Sequence, residues 1–96
     1  MIILVLNTGS SSIKYQLINI DDEKKLVVGQ IEKIGHQDSI HKYKGTNGTE
    51  FKKIHPIENH HQGIDEILSL LTSAEYGVIK SFDEIDAVGH RVVHGG

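Results

Sequence analysis

The 96-residue chain carries ten Lys and Arg against thirteen Asp and Glu, a formal net charge of −3, and so lacks the basic face that a nucleic-acid backbone demands of its partner. It has no cysteine, which excludes disulfides, thiolate catalysis and cysteine-based zinc sites. Apolar residues make up 38%, with no Trp, three Tyr and two Phe, so the composition suits one modest domain whose core is built from Ile, Val and Leu.

Ile2 to Leu6 is a continuous apolar run closed by Asn7-Thr8-Gly9, the pattern of a strand buried on both faces. It is too short and lacks the basic flank of a signal peptide or membrane span, and the expectation is a soluble, cytoplasmic chain with no membrane partner. Ser12 to Ile20 reads as a second strand, with Ile13, Tyr15 and Leu17 alternating against Lys14 and Gln16, and the short turn between the two predicts a hairpin. Asp21 to Lys25 is a polar loop, and Leu26 to Ile34 a third strand interrupted by Gly29. Asn47-Gly48, inside His41 to Ile54, tolerates positive φ at both positions and predicts a small, exposed two-stranded insertion.

Pro56 breaks the chain, after which Ile57, Ile64, Ile67, Leu68 and Leu71 recur at helical spacing. Asn59 caps that helix with Gln62 answering three residues on, so it runs from about His60 to Ala74 and stops near Gly77. Ser81-x-x-Glu84 is a second capping box, and Asp86 to Val92 a last strand. The order is thus strand, strand, strand, hairpin insertion, helix, strand, an α/β arrangement. Gly95-Gly96 is a turn signal that leads onward, so residues 1–96 are expected to be part of a larger domain.

The stretch NTGSSSIK, residues 7 to 14, is shaped for an anion. Backbone N–H groups and hydroxyls converging in a tight turn can hold phosphate without a helix N-terminus. Gly9 allows positive φ and close backbone approach. Ser10, Ser11 and Ser12 offer hydroxyls, Lys14 adds charge, and Asn7 can bond a phosphate oxygen or a water on magnesium. A Walker A loop is excluded because its second glycine is missing, and a G-x-S-x-G nucleophile elbow because no glycine follows Ser11-Ser12. A plain Ser/Gly hairpin turn stays open as the alternative.

VGHRVVHGG places His90, Arg91 and His94 at a strand end between glycines, where α/β sheets bind ligands. Arg91 can clamp a carboxylate or phosphate with two parallel N–H bonds, or it can make an ordinary surface ion pair. His90 and His94 share a strand face but stand roughly 13 Å apart, too far for one metal ion. His60-His61, at the helix start, read as capping or packing residues. His36, His41 and His55 are assigned to loops without a role.

The two ends together resemble the acetate kinases. VLNTGSSSIKYQL is similar to their strand followed by N-x-G-S-S-S-x-K, and EIDAVGHRVVHGG to their H-R-x-x-H-G-G landmark. Propionate and butyrate kinases share both in related form. The resemblance implies a ribonuclease-H-like half-domain of the actin and sugar-kinase superfamily, in a cytoplasmic enzyme several times longer that works as a homodimer. It implies reversible transfer of the ATP γ-phosphoryl group to acetate, giving acetyl phosphate and ADP with Mg2+. Carried onto this chain, Asn7, Ser10, Ser12 and Lys14 match the phosphate-side loop, with Asn7 reaching magnesium through water. Arg91 matches the arginine that holds the acetate carboxylate and the transferring group. The remaining catalytic and magnesium-binding residues are expected outside this stretch, and the piece alone is expected to be inactive and to self-associate. A reading from another class stays open, a stand-alone module on the same half-fold that holds a phosphorylated ligand or a protein without catalysis.

Overall fold

The computed structural model describes residues 1–92, with the backbone alone for Arg91 and Val92; His94 and Gly95-Gly96 lie outside the described residues. Six strands form one mixed sheet covered on one face by one helix. The strands are β1 (Ile2–Thr8), β2 (Ile13–Asn19), β3 (Lys24–Glu32), β4 (Ile40–Gly45), β5 (Glu50–Ile54) and β6 (Ala87–Val92), and the helix is α1 (His60–Leu71). Their order across the sheet is β5-β4-β3-β2-β1-β6. Each of β1 to β5 runs antiparallel to the next, and β6 returns parallel to β1. A parallel neighbour requires a crossover, and the segment containing α1 supplies it.

Period-2 alternation sorts the side chains. Leu4, Leu6, Ile13, Tyr15, Leu17, Val27, Ile31 and Tyr43 point inward and are buried against Ile67, Leu70 and Leu71 of α1, together with Ile34, Ile57 and Ile79. At roughly 1.5–3 kcal/mol for each fully buried large apolar side chain, this layer is the main favourable term in folding. The expectation that β1 is buried on both faces needs correction. Leu4, Leu6 and Thr8 are buried, whereas Ile3, Val5 and Asn7 on the other side are only half-buried, because α1 covers one face alone.

Asn59 caps α1 as expected, its side chain accepting from the Gln62 N–H at 2.8 Å. Gln62 reaches back one residue further than a capping box prescribes, to the Glu58 N–H at 2.9 Å. The helix ends at Leu71, earlier than Ala74, because Thr72 and Ser73 turn their hydroxyls onto the Leu68 and Leu70 carbonyls, and the Val78 and Ile79 N–H groups close on Leu71. A 3-10 turn, Phe82–Glu84, follows, with the Glu84 carboxylate accepting from the Ser81 N–H at 3.2 Å. Asp86 then bonds Ile2 in both directions, at 2.8 Å each, and starts β6 in register.

The two-stranded hairpin predicted within His41 to Ile54 forms, with a largely exposed outer strand, but it is not separate from the sheet. β4 and β5 extend the main sheet, and only Gly48, at φ 89°, takes positive φ in their turn. His41 and Tyr43 are buried on the inner face while Lys42 and Lys44 face out.

His41, assigned to a loop without a role, sits wholly buried at the centre of a polar chain. The Tyr15 hydroxyl stands 2.6 Å from its Nε2 and Glu66 Oε2 2.5 Å from its Nδ1. A carboxylate only accepts, so Nδ1 carries the proton and Nε2 accepts from Tyr15. His55 Nε2 lies 2.7 Å from Glu66 Oε1 but off the line of a hydrogen bond, so that contact is electrostatic. Burial lowers the His41 pKa from the usual 6.5, against the opposing pull of Glu66. A depressed folded-state value means that the unfolded chain binds the proton more readily. This residue's contribution is therefore complete above about pH 6.5 and is lost as the pH falls from there to the lower folded value. Urea denaturation is expected to give a lower midpoint at pH 5.5 than at pH 8, with the ring nitrogens of His41 titrating below the usual 6.5. A His41 titration at or above the ordinary value would contradict it.

Candidate functional site

The β1–β2 connection, residues 9–12, is the tight hairpin loop that the sequence predicts. The Gly9 N–H donates to the Ser12 carbonyl at 2.9 Å. The φ of Gly9 is not positive, so the turn does not call on glycine for a left-handed backbone. A Cβ on it would lie 2.8 Å from Ser12 Oγ. Ser10 and Ser11 are exposed and Ser12 half-buried, so the donors face solvent rather than core.

Register then aligns residues that are far apart in sequence. Asn7 pairs with Lys14 across the antiparallel β1–β2 ladder and with Arg91 across the parallel β1–β6 ladder. Neighbouring strands lie about 4.8 Å apart, so the backbones of Lys14, Asn7 and Arg91 occupy one row about 10 Å long, directly below the loop. Asn7 and Lys14 are on the face opposite α1, because their neighbours Leu6, Thr8, Ile13 and Tyr15 fill the buried one. The row lies at the carboxyl ends of the two parallel strands, where α/β sheets place ligands. The geometry thus gathers Asn7, Ser10, Ser12, Lys14 and the backbone of Arg91. It presents exposed hydroxyls, one amide and a lysine charge, a set suited to an oxyanion.

Two histidines to which the sequence assigns no contact with this loop adjoin it. His60, the first residue of α1, places Nε2 2.8 Å from the Gly9 carbonyl, and His90 Nε2 lies 3.4 Å from Thr8 Oγ1. The partners are 51 and 82 residues apart, and no local pattern announces them. Magnesium fits here only as an outer contact. Mg2+ takes carboxylates, phosphates and waters in octahedral array, and among the described residues no three His, Cys, Asp or Glu side chains could close on one ion. The Asn7 amide and the serine hydroxyls are groups that could bond a magnesium-bound water.

A model of the Acetokinase family matches residues 2–96. The chain belongs to the acetokinase family. It is 50% identical over 96 residues to the acetate kinase of Methanosarcina mazei and 51% identical over 96 residues to that of Symbiobacterium thermophilum. Each match covers 100% of this chain and 24% of the relative, so the chain spans about a quarter of the length of the curated relatives it matches. The crystal structure of Porphyromonas gingivalis acetate kinase superposes with a TM-score of 0.88 at 44% identity, over 99% of this chain and 24% of that one. A propionate kinase from Francisella tularensis superposes at 0.79 and 33% identity, over 99% of this chain and 23% of its own. The sheet and helix are those of acetokinase structures, the half-domain of the actin and sugar-kinase fold. Among the described residues no helix of this acetokinase chain is long and apolar enough to cross a membrane.

Proposed function

We propose that residues 1–96 form part of the N-terminal domain of an acetate kinase and supply the phosphate-side wall of its active site. The observation that carries this is the single register row Lys14–Asn7–Arg91 beneath an open serine loop. In the forward direction an acetate oxygen attacks the γ-phosphorus of ATP. A new P–O bond forms, the bond from the γ-phosphorus to the β–γ bridging oxygen breaks, and ADP leaves with that bond's electron pair. Such a transfer needs little covalent help from the protein and much positioning and charge neutralisation.

In this reading Ser10 and Ser12 donate to the phosphoryl oxygens. Lys14 offsets their charge, and Asn7 offers its amide to a phosphate oxygen or to a water on the metal. Arg91 holds the carboxylate beside the phosphoryl group, which the two like charges would otherwise oppose. Magnesium, when bound with the nucleotide, supplies further charge neutralisation.

A propionate kinase also superposes, at the lower TM-score of 0.79, so longer acyl acceptors are tested beside acetate. The experiment is a hybrid in which residues 1–96 replace the matching 96 residues of the Methanosarcina mazei enzyme. It is assayed for acyl phosphate formation from ATP, Mg2+ and acetate, propionate or butyrate. Acetate turnover that disappears on Ser10→Ala/Lys14→Ala supports the reading, and full activity in that double variant refutes it. The 96-residue chain alone is expected to form no acetyl phosphate, because it spans 24% of its relatives and gathers no acidic cluster for magnesium among its described residues. Turnover by the purified chain would count against this division of labour.

A further inference from the structure

We propose that His60 is a positioning residue of the phosphate loop, aiming the Ser10 amide at the bound anion; the inference rests on the reading of residues 9–12 as the phosphate side. Three hydrogen bonds hold the loop, one within it and two to other parts of the fold. The Ser12 carbonyl accepts from the Gly9 N–H at 2.9 Å, and the Ser11 carbonyl from the Ile34 N–H, also at 2.9 Å. The Gly9 carbonyl accepts from His60 Nε2 at 2.8 Å. A trans peptide is planar, with its N–H directed opposite to its C=O, and no peptide bond described here is cis. Each carbonyl tied inward therefore turns the next N–H outward. His60 does this for the Ser10 amide and Ile34 for the Ser12 amide. Among the described residues no hydrogen bond is made to the Ser10 or Ser11 amides, and both residues are exposed.

Without the imidazole, the Gly9–Ser10 peptide plane would be free to rotate and could present its carbonyl, a partial negative charge, to a phosphate. The ring is well placed to prevent that, because the half-buried His60 is the first residue of α1 and is fixed by the helix. A carbonyl only accepts, so Nε2 must carry a proton. That makes the role one of donation, and a glutamine amide can reproduce it at the same reach.

The experiment compares His60→Ala and His60→Gln. Alanine is the stronger helix former, so α1 itself is not weakened by it. In the 96-residue chain, the exchange rates of the protected Gly9 and Ile34 amides report loop closure without any need for activity. His60→Ala is expected to speed both about tenfold, the scale of one lost hydrogen bond, with the β2–β3 amides unchanged. His60→Gln should stay within about twofold of the parent. In the hybrid acetate kinase, alanine should raise the KM for ATP about tenfold and glutamine should restore it. Unchanged exchange in His60→Ala, or equal defects in both variants, overturns the role of His60. A hybrid that is inactive with native His60 refutes the functional reading instead, while the exchange measurement still decides the loop.

Discussion

Arg91→Lys in the hybrid acetate kinase is expected to lower kcat/KM for acetate roughly a hundredfold, a loss of about 3 kcal/mol of transition-state stabilisation, while the protein still folds. The Arg91 backbone is the register partner of Asn7, which in turn pairs with Lys14, and in the proposed reading it stands where the carboxylate meets the phosphoryl group. Lysine preserves the charge but not the planar fork that grips two oxygens at once. The loss should fall on kcat as well as on the KM for acetate, because the contact tightens as charge moves onto the transferring oxygens. The check is steady-state kinetics at saturating ATP, with the urea midpoint measured alongside. Kinetics within twofold of the parent would remove Arg91 from the chemistry, and a collapsed midpoint would show that it holds β6 in place instead.

Gly29→Ala is expected to cost about 3 kcal/mol of stability, combining overpacking with a broken buried hydrogen bond. Gly29 pairs with Tyr15 across β2–β3, and a Cβ there would lie 2.2 Å from Tyr15 Cζ and 2.4 Å from its hydroxyl oxygen. The ring cannot swing aside. Tyr15 is 1% exposed, and its hydroxyl is bonded to His41, which is itself fully buried and bonded to Glu66 of α1. Relieving the clash therefore means leaving the imidazole unsatisfied or shifting the helix. Chemical denaturation reads the result directly, and a loss below 1 kcal/mol would mean that this side of the sheet is looser than its contacts imply. The companion Tyr15→Phe should cost about 1–3 kcal/mol, the penalty for one unsatisfied buried acceptor.

Much of the architecture is decided by local chemistry and could be read from the residues in order. Ile13, Tyr15 and Leu17 alternate with Lys14 and Gln16, which sets both the strand and its buried face. Asn59 and Gln62 begin the helix because their side chains satisfy N–H groups that would otherwise lack partners. Gly9 and the serines mark the loop, since small polar residues after an apolar run signal a turn. The two landmark motifs, at opposite ends of the chain, were enough to indicate the family. Tertiary structure alone decided the rest. That Asn7 faces both Lys14 and Arg91 depends on how β6 slides against β1, a register set by the Asp86–Ile2 bonds and by burial of the β1 inner face. His41 looks like any polar residue until β4 joins the sheet and brings it between Tyr15 and Glu66, where two hydrogen bonds offset the cost of burying it. His60 is a first-turn histidine in the sequence and becomes part of the loop only when α1 packs beside it. Hydrophobic periodicity specifies which face of an element is buried, but a buried polar contact is defined by its partner, and the fold brings that partner from a distant part of the chain.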